Sequence, residues 1–186
     1  MKKQVLVPVA DGTEDLEAVA IIDILRRAGA EVTIALVTDQ IEVRCSQGIK
    51  MSADVLISQC RDREYDLIVL PGGLPGVEHL RDSEVLVEIL KAQDNQKKLF
   101  GAICAAPAVV LAHHGLLDNR NATCHPGFAD KLAKRDTTQA KVVVDGNCIT
   151  SRGAGTAVDF ALVLVETLFG KEKRETVETG LAMVKH

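Results

Sequence analysis

Short apolar runs alternate with helix-like segments along almost the whole chain. The apolar runs are rich in Val and Ile, which is typical of strands, whereas the longer segments repeat apolar residues at the spacing of a helix face. The pattern predicts strands at 4–10, 31–37, 66–70 and 99–103, and hairpins at 41–51 and 141–151. It predicts helices at 14–28, 83–96, 105–113, 156–169 and 172–184.

Strand–helix alternation with short connections indicates βαβ units and a mainly parallel sheet with helices on both faces. The apolar set of the first helix is too broad for one stripe, so this helix is expected to be covered on two sides. No repeat, low-complexity segment or linker divides the chain, and one domain over 1–186 is expected. In such sheets ligands bind outside the carboxyl ends of the strands, here the loops 11–17, 71–76, 104–107 and 151–156.

Composition narrows the function classes. Apolar residues make up 47% of the chain but aromatics only 3%, as in a core of Val, Ile, Leu and Ala. A net charge of −4 argues against nucleic acid as a partner. No apolar stretch approaches the ~20 residues of a membrane helix, and the N-terminus does not resemble a signal peptide, so a soluble, cytoplasmic protein is expected. The five cysteines include no Cys-x-x-Cys pair, which favours free thiols.

Cys104 is the first candidate for chemistry. A buried strand is predicted to run directly into it, and the small residues Ala105 and Ala106 and then Pro107 follow. A strand-to-helix turn of this kind projects a nucleophile, and a sulfur at a helix N-terminus is expected to lose its proton more readily. The alternative is a buried structural cysteine, and the local pattern does not separate the two.

The glycine pair after the preceding strand is the second candidate. Gly72 and Gly73 could turn backbone N–H groups into the crevice, where they would hold an oxyanion opposite Cys104. An ordinary turn is the alternative. No dinucleotide-binding glycine motif follows the first strand, and no triphosphate-binding loop occurs in the chain.

Three acidic residues fall in the first turn of the first helix. Glu14 and Asp15 are accounted for by the favourable interaction of acids with a helix N-terminus. Glu17 lies among Leu16, Ala18 and other apolar residues, so its pKa is expected to rise. A protonated Glu17 could donate a hydrogen bond to a thiolate or exchange protons with a substrate.

His125 is the candidate catalytic histidine. It ends a strand-like stretch, 121–124, and precedes Pro126 in a predicted strand-end turn. Cys124 and His125 could instead be a fragment of a metal site, but adjacent residues of a strand point to opposite sides. No metal or other cofactor is therefore expected.

Five short motifs, spread in order over essentially the whole chain, resemble those of the ThiJ/PfpI superfamily. The resemblance is strongest to the branch of the parkinsonism-associated protein deglycase and its bacterial relatives. The motifs are Gly12-Thr13-Glu14-Asp15-Leu16-Glu17, Leu70-Pro71-Gly72-Gly73, Ala102-Ile103-Cys104-Ala105-Ala106-Pro107, Thr123-Cys124-His125-Pro126 and Thr150-Ser151-Arg152-Gly153-Ala154-Gly155-Thr156.

The resemblance implies a flavodoxin-like homodimer with Cys104 as reactive cysteine, a protonated Glu17 contacting its sulfur, and His125 nearby. It further implies an anion pocket formed by the amides of Gly73 and Ala105. Gly72, Glu14 and Arg152 are candidates for supporting positions around these groups. The implied activities are glutathione-independent glyoxalase, deglycation of protein side chains modified by 2-oxoaldehydes, a redox-regulated chaperone role and peroxide sensing.

The chain departs from the family pattern in several places. Ala154 replaces a frequent proline, and Gln47 replaces an arginine found in some relatives, which puts an anion contact from that loop in doubt. Ser52 replaces a second cysteine of the human branch, so the redox behaviour of that thiol does not carry over. Ala105 stands where a protease branch has histidine after the nucleophile, which argues against protease activity.

Two hypotheses use the same residues. In the first, Cys104 adds to a 2-oxoaldehyde such as methylglyoxal, and Glu17 and His125 move the proton that converts it to a 2-hydroxy acid. In the second, oxidation of Cys104 switches the binding of client proteins.

Overall fold

The computed structural model describes residues 2–39, 42–134 and 136–183. Strands within these ranges are β1 Gln4–Val9, β2 Glu31–Leu36, β3 Glu42–Arg44, β4 Lys50–Ser52, β5 Val55–Leu56, β6 Leu67–Leu70, β7 Leu99–Ile103, β8 Val142–Asp145 and β9 Cys148–Ser151. Helices are α1 Asp15–Arg27, α2 Gly76–Asp82, α3 Glu84–Asn95, α4 Ala157–Phe169 and α5 Lys171–Gly180. The ends of two predicted elements, Ile41 and Val184, lie outside the described residues.

One mainly parallel sheet organises the fold. Its strand order is β5-β2-β1-β6-β7-β9-β8, and neighbouring strands are parallel except for the β8–β9 hairpin at one edge. Strands β3 and β4 form a separate antiparallel hairpin. The flavodoxin-like α/β fold expected from the sequence is confirmed, and the chain reverses direction across the sheet between β1 and β6.

Alternate residues of the strands enter two different core layers. In β1, Val5, Val7 and Val9 pack with residues of α1 and α4, whereas Leu6 packs with those of α2 and α3 on the opposite face. All four are fully buried. Helices therefore cover both faces, as the near-continuous apolar strands predict.

Helix α1 is covered on two sides, by the sheet and by α4, as its broad apolar set predicts. Glu14 caps its N-terminus, and Gly29, with a φ of +95°, follows the residue at its C-terminal end. Leu16 and Val19 nevertheless remain 55% and 46% exposed. One apolar strip of α1 is therefore left uncovered within the chain.

The structure corrects two predicted elements. The helix predicted over 105–113 is a π-helical segment, Pro107–Ala112, whose apolar residues still face the sheet. The stretch 121–124 is not a strand and does not join the sheet. Side chains satisfy its backbone instead: the Thr123 N–H donates to Thr150 Oγ1 at 2.9 Å, and Thr137 Oγ1 donates to the Ala122 carbonyl at 2.9 Å.

In the described part of the chain, no helix is long and apolar enough to cross a membrane.

Candidate active site

The loops that follow β1 and β6 meet where the sheet reverses direction. The Glu14 N–H donates to the Gly72 carbonyl at 2.9 Å and joins the two loops. Gly73 has a φ of +97°, and a Cβ at this position would overlap the Gly12 carbonyl oxygen and the Glu14 nitrogen. Only glycine therefore allows the backbones to approach this closely.

Cys104 occupies the turn directly after β7, as the sequence predicts. Its φ of +65° is unusual for a residue with a side chain, and such a conformation costs of the order of 1–3 kcal/mol. Two backbone hydrogen bonds hold the turn: the Cys104 N–H donates to the Ser151 carbonyl at 3.0 Å, and the His125 N–H donates to the Cys104 carbonyl at 2.7 Å. The thiol is partly accessible, whereas the other four cysteines are buried.

The Glu17 carboxyl is fully buried beside this turn. Its Oε2 accepts a hydrogen bond from the Gly72 N–H at 2.8 Å. Its Oε1 is buried and has no hydrogen-bond partner of good geometry among the described residues, and the group it faces is the Cys104 thiol. A Cβ on Gly72 would lie 2.5 Å from the Cys104 Cβ and 2.8 Å from Glu17 Oε2, so the closeness of the two functional groups requires glycine there.

Burial raises the pKa of Glu17 to about 7, as the apolar sequence around it predicts. The hydrogen bonds from Gly72 and Cys104 oppose the rise, while the nearby charge of Glu14 adds to it. Glu14 also accepts a hydrogen bond from the Glu17 N–H at 2.7 Å and thereby caps α1. The carboxyl can consequently hold or release a proton near neutral pH.

The pKa of Cys104 shifts in the direction opposite to that expected from the sequence. Burial and the negative charge of Glu17 raise it to about 12, although the N–H groups of Ala105 and Gly73 point at the sulfur and lower it. The expectation of an acidified thiol considered only the helix N-terminus, and neither the burial of the thiol nor the charge of Glu17. When Glu17 carries the proton its repulsion is removed, so thiol and carboxyl act as a pair that shares one proton.

His125 stands on the solvent side of the turn and is exposed. Its Nδ1 accepts a hydrogen bond from the Gly127 N–H at 3.1 Å, so a neutral ring carries its proton on Nε2. Neighbouring Cys124 is fully buried, and its Sγ donates to the His125 carbonyl at 3.4 Å. Among the described residues no group of three or more His, Cys, Asp or Glu side chains could hold a metal ion.

The side chains of Cys104, Glu17 and His125 converge on a single point above Gly153. A Cβ built on this glycine would lie 3.7 Å from His125 Cδ2, 3.8 Å from Cys104 Sγ and 3.9 Å from Glu17 Oε1. The structure thus brings together the three residues that the sequence proposed for catalysis. From the sequence, Gly153 is recognisable only as part of the motif that runs from Thr150 to Thr156.

The convergence point opens into a cleft of about 600 Å³, whose rim includes Arg152 and Lys141. Arg152 Nη1 makes long contacts with the carbonyl and side-chain oxygens of Gln139, at 3.5 and 3.4 Å. Lys141 Nζ lies 3.1 Å from Asp159. Lys141 was not singled out from the sequence, since a lysine at the start of a strand carries no local signal of a distant cleft.

Asp15 lies at the N-terminus of α1, as the sequence predicts, but it also binds the backbone of a distant hairpin turn, which the sequence does not indicate. The side chain is buried and accepts hydrogen bonds from the N–H groups of Gln47 at 2.7 Å and Ile49 at 3.0 Å. Burial alone would raise the pKa of Asp15, but these bonds outweigh it and hold the pKa below its usual value. The carboxylate anchors the turn of the β3–β4 hairpin beside α1.

A cysteine turn directly after a central strand of a flavodoxin-like sheet, facing a buried glutamate, is the arrangement that the resemblance implied. The profile of the DJ-1/PfpI family matches residues 3–167, and the chain belongs to this family. The resemblance stated from the motifs is therefore confirmed.

Individual relatives agree with this assignment. Protein DJ-1 homolog B of Arabidopsis thaliana is 51% identical over 170 residues, covering 91% of this chain; the chain spans only 39% of that protein's length. Glutathione-independent glyoxalase DJR-1.2 of Caenorhabditis elegans is 37% identical over 183 residues, covering 97% of this chain and 96% of the relative. Among solved structures, oxidized DJ-1 of Toxoplasma gondii superposes with a TM-score of 0.95 at 45% identity, over 98% of this chain and 100% of that one.

Proposed function

We propose that the protein is a glutathione-independent glyoxalase that converts 2-oxoaldehydes such as methylglyoxal to 2-hydroxy acids. The observation that carries the proposal is the convergence of the thiol, the carboxyl and the imidazole above Gly153. One nucleophile and two proton-transferring groups around a common point are what an internal redox reaction of a carbonyl compound requires. The relative named as a glutathione-independent glyoxalase supports the same chemistry.

In the first step Cys104 Sγ bonds to the aldehyde carbon. The thiol proton passes to Glu17, and the carbonyl oxygen becomes the hydroxyl of a hemithioacetal by taking up a proton from Glu17 or His125. The pair that shares one proton supplies both the nucleophile and this proton. The N–H groups of Gly73 and Ala105, which point at the sulfur, stabilise its negative charge before the bond forms.

In the second step a base removes the hydrogen from the carbon bound to sulfur. The electron pair forms an enediol with the neighbouring ketone carbon, which is then protonated. The first carbon is thereby oxidised to a thioester and the second reduced to a hydroxyl-bearing carbon, with no external oxidant. Water hydrolyses the thioester, which releases the 2-hydroxy acid and returns Cys104 as a thiol. Glu17 and His125 are the groups placed to move these protons.

Early adducts of 2-oxoaldehydes with protein side chains belong to the same proposed substrate class. They expose the same pair of oxygen-bearing carbons, and the cleft beyond Gly153, which Arg152 and Lys141 help to line, has a volume of about 600 Å³. No cofactor is required for either reaction. A reducing compartment such as the cytoplasm is part of the proposal, since the five cysteines include no Cys-x-x-Cys pair.

The direct test is to incubate purified protein with methylglyoxal, without glutathione, and to measure lactate. We expect modest but measurable lactate formation that depends on Cys104. Protein-free buffer and the Cys104→Ser variant are the controls. A rate of lactate formation equal to that of these controls would reject the proposal.

A second candidate function is a redox-regulated chaperone or peroxide sensor. It is favoured by the accessibility of Cys104 alone among the cysteines, and by the amides and carboxyl that could hold an oxidised sulfur. Light scattering of an aggregating client protein, with reduced and with peroxide-treated samples, tests it. Equal protection by the two samples would reject a switch at Cys104.

A further inference from the structure

We propose that Gly153 determines which compounds react at Cys104. The reacting carbons of the substrate bind in the space that a side chain on residue 153 would otherwise occupy. The inference rests on the proposed glyoxalase reaction and specifies the substrate. The electrophile must place two adjacent carbons between the thiol, the carboxyl and the backbone of Gly153. Small 2-oxoaldehydes with hydrogen or methyl on the second carbon meet this requirement.

The distances around Gly153 define where the reacting carbons bind. Three reactive side chains lie between 3.7 and 3.9 Å from the position of a Gly153 Cβ. A carbon bonded to Cys104 Sγ and within reach of both Glu17 and His125 must therefore lie between the sulfur and this position. Non-bonded carbon atoms need a separation of ~3.5–4.0 Å. A methyl group on residue 153 and a substrate carbon bonded to sulfur on that side cannot both be present.

Alanine is nevertheless compatible with the folded protein at this position. Gly153 has φ 161° and ψ −168°, an extended backbone that other residues adopt. An added Cβ meets its neighbours only at ordinary contact distances. The hydrogen bonds that join Gly153 to Thr156 use backbone atoms of Gly153 and are retained. Gly72 and Gly73 differ, because a Cβ at either would overlap its surroundings.

Oxidation of the sulfur does not need the same volume. An oxygen atom added to Cys104 is held by the N–H groups of Ala105 and Gly73, which approach the sulfur from the turn and the β6 loop. A methyl group on residue 153 leaves those donors in place. Gly153→Ala should consequently separate reaction with carbon electrophiles from reaction with peroxide.

The experiment compares Gly153→Ala with a control, Gly180→Ala, at the C-terminal end of α5 and outside the cleft. A Cβ on Gly180 meets nothing within 4 Å. For both variants kcat/KM is measured with methylglyoxal and with glyoxal, and peroxide oxidation of Cys104 is followed by mass spectrometry. We expect Gly153→Ala to lose at least about tenfold in kcat/KM. The loss should be larger with methylglyoxal than with glyoxal, while peroxide oxidation changes less than about twofold. Gly180→Ala should resemble the wild type.

Two results would overturn the assignment of Gly153. One is turnover by Gly153→Ala within about twofold of the wild type; the other is an equal loss of turnover and of peroxide oxidation, which indicates a displaced Cys104. A wild-type protein without turnover refutes the proposed function instead. The assignment of Gly153 is then decided by alkylation of Cys104 with iodoacetamide, which should slow at least about tenfold in Gly153→Ala. Unchanged alkylation would reject it.

Discussion

The backbone N–H of His125 donates to the carbonyl oxygen of Cys104 at 2.7 Å, which ties the histidine directly to the turn that presents the thiol. The position of the imidazole is therefore coupled to the backbone of Cys104. The Ser151 carbonyl accepts the Cys104 N–H from the other side and fixes the turn to the end of β9. Replacing the sulfur leaves these backbone bonds in place.

Replacement of Cys104 by serine should abolish aldehyde turnover without unfolding the protein. The substitution changes little volume at a partly accessible site, but a serine hydroxyl is not acidic enough to give up its proton to Glu17. We expect a loss of at least about a hundredfold in lactate formation, with the circular dichroism spectrum and melting temperature nearly unchanged. Turnover by pure Cys104→Ser protein would show that Cys104 is not the nucleophile.

The pH dependence of kcat/KM should report the proton shared by Glu17 and Cys104. The fully protonated pair has no nucleophile, and it loses its first proton with a pKa of about 7, the value raised by burial of Glu17. We therefore expect kcat/KM to rise as the pH increases through about 7 and then to level off. In Glu17→Gln the rate should be far lower and this inflection should disappear. An unaltered inflection in the variant would assign it to another group.

Glu17 should also make the folded protein less stable at high pH. The folded-state pKa of Glu17, about 7, lies above the ordinary value of 4.5. The contribution of protonated Glu17 to the free energy of unfolding is therefore complete below pH 4.5 and is lost as the pH rises through 7. This shift corresponds to roughly 3 kcal/mol. In urea denaturation, Glu17→Gln should match the wild type near pH 4.5 and be the more stable protein at pH 8.5. Equal stability at both pH values would contradict the raised pKa.

Cys104 should be the first cysteine to be oxidised by mild peroxide. The thiols at 45, 60, 124 and 148 are buried, whereas Cys104 is partly accessible, so peroxide reaches Cys104 most easily. We expect sulfinate as the main product, because a protonated Glu17 can donate to one of its oxygens. Peptide mass spectrometry after graded peroxide treatment gives the order in which the cysteines are oxidised. Earlier oxidation of another cysteine, or recovery of Cys104 mainly as an intramolecular disulfide, would contradict the assigned site.

A homodimer in solution is expected from the apolar strip that α1 leaves uncovered. Leu16 and Val19 are exposed on this helix, and Ile49, 53% exposed, lies in the hairpin turn that Asp15 holds beside it. Light scattering should give twice the chain mass of 20.0 kDa. Leu16→Lys should shift the protein towards monomer, whereas Val144→Lys, at an equally exposed position on β8, should not. A single-chain mass for the wild type would contradict the dimer.

Local patterns were sufficient for most of the fold and for the members of the site. The period-two and helix-face repeats located the main strands and helices, and the strand-end rule placed Cys104 and Glu17 in facing loops. The burial of Glu17, and hence the direction of its pKa shift, was also readable from its apolar neighbours. These properties depend on residues that are close in sequence or on a general rule of parallel sheets.

Other properties depend on which distant residues meet. Burial of the thiol and the charge of Glu17, which is remote in sequence, raise the pKa of Cys104, so the helix N-terminus alone gave the wrong direction. Asp15 anchors a hairpin turn that the sequence does not place beside α1. The role proposed for Gly153 depends on the Cys104, Glu17 and His125 atoms that surround the position of its missing Cβ. None of these relationships has a local signal.

The left-handed backbone at Cys104 also limits the residues that evolution could place there. Val, Ile and Thr are strongly disfavoured at positive φ, whereas Gly, Asn and Asp tolerate it. Threonine, although nucleophilic in other enzymes, is therefore a poor replacement for the thiol. A lineage that abandoned thiol chemistry at this turn would be expected to drift to Gly, Asn or Asp, and the step to glycine would relieve backbone strain. The fold itself therefore does not favour cysteine at this position, because glycine would adopt the same backbone geometry with less strain.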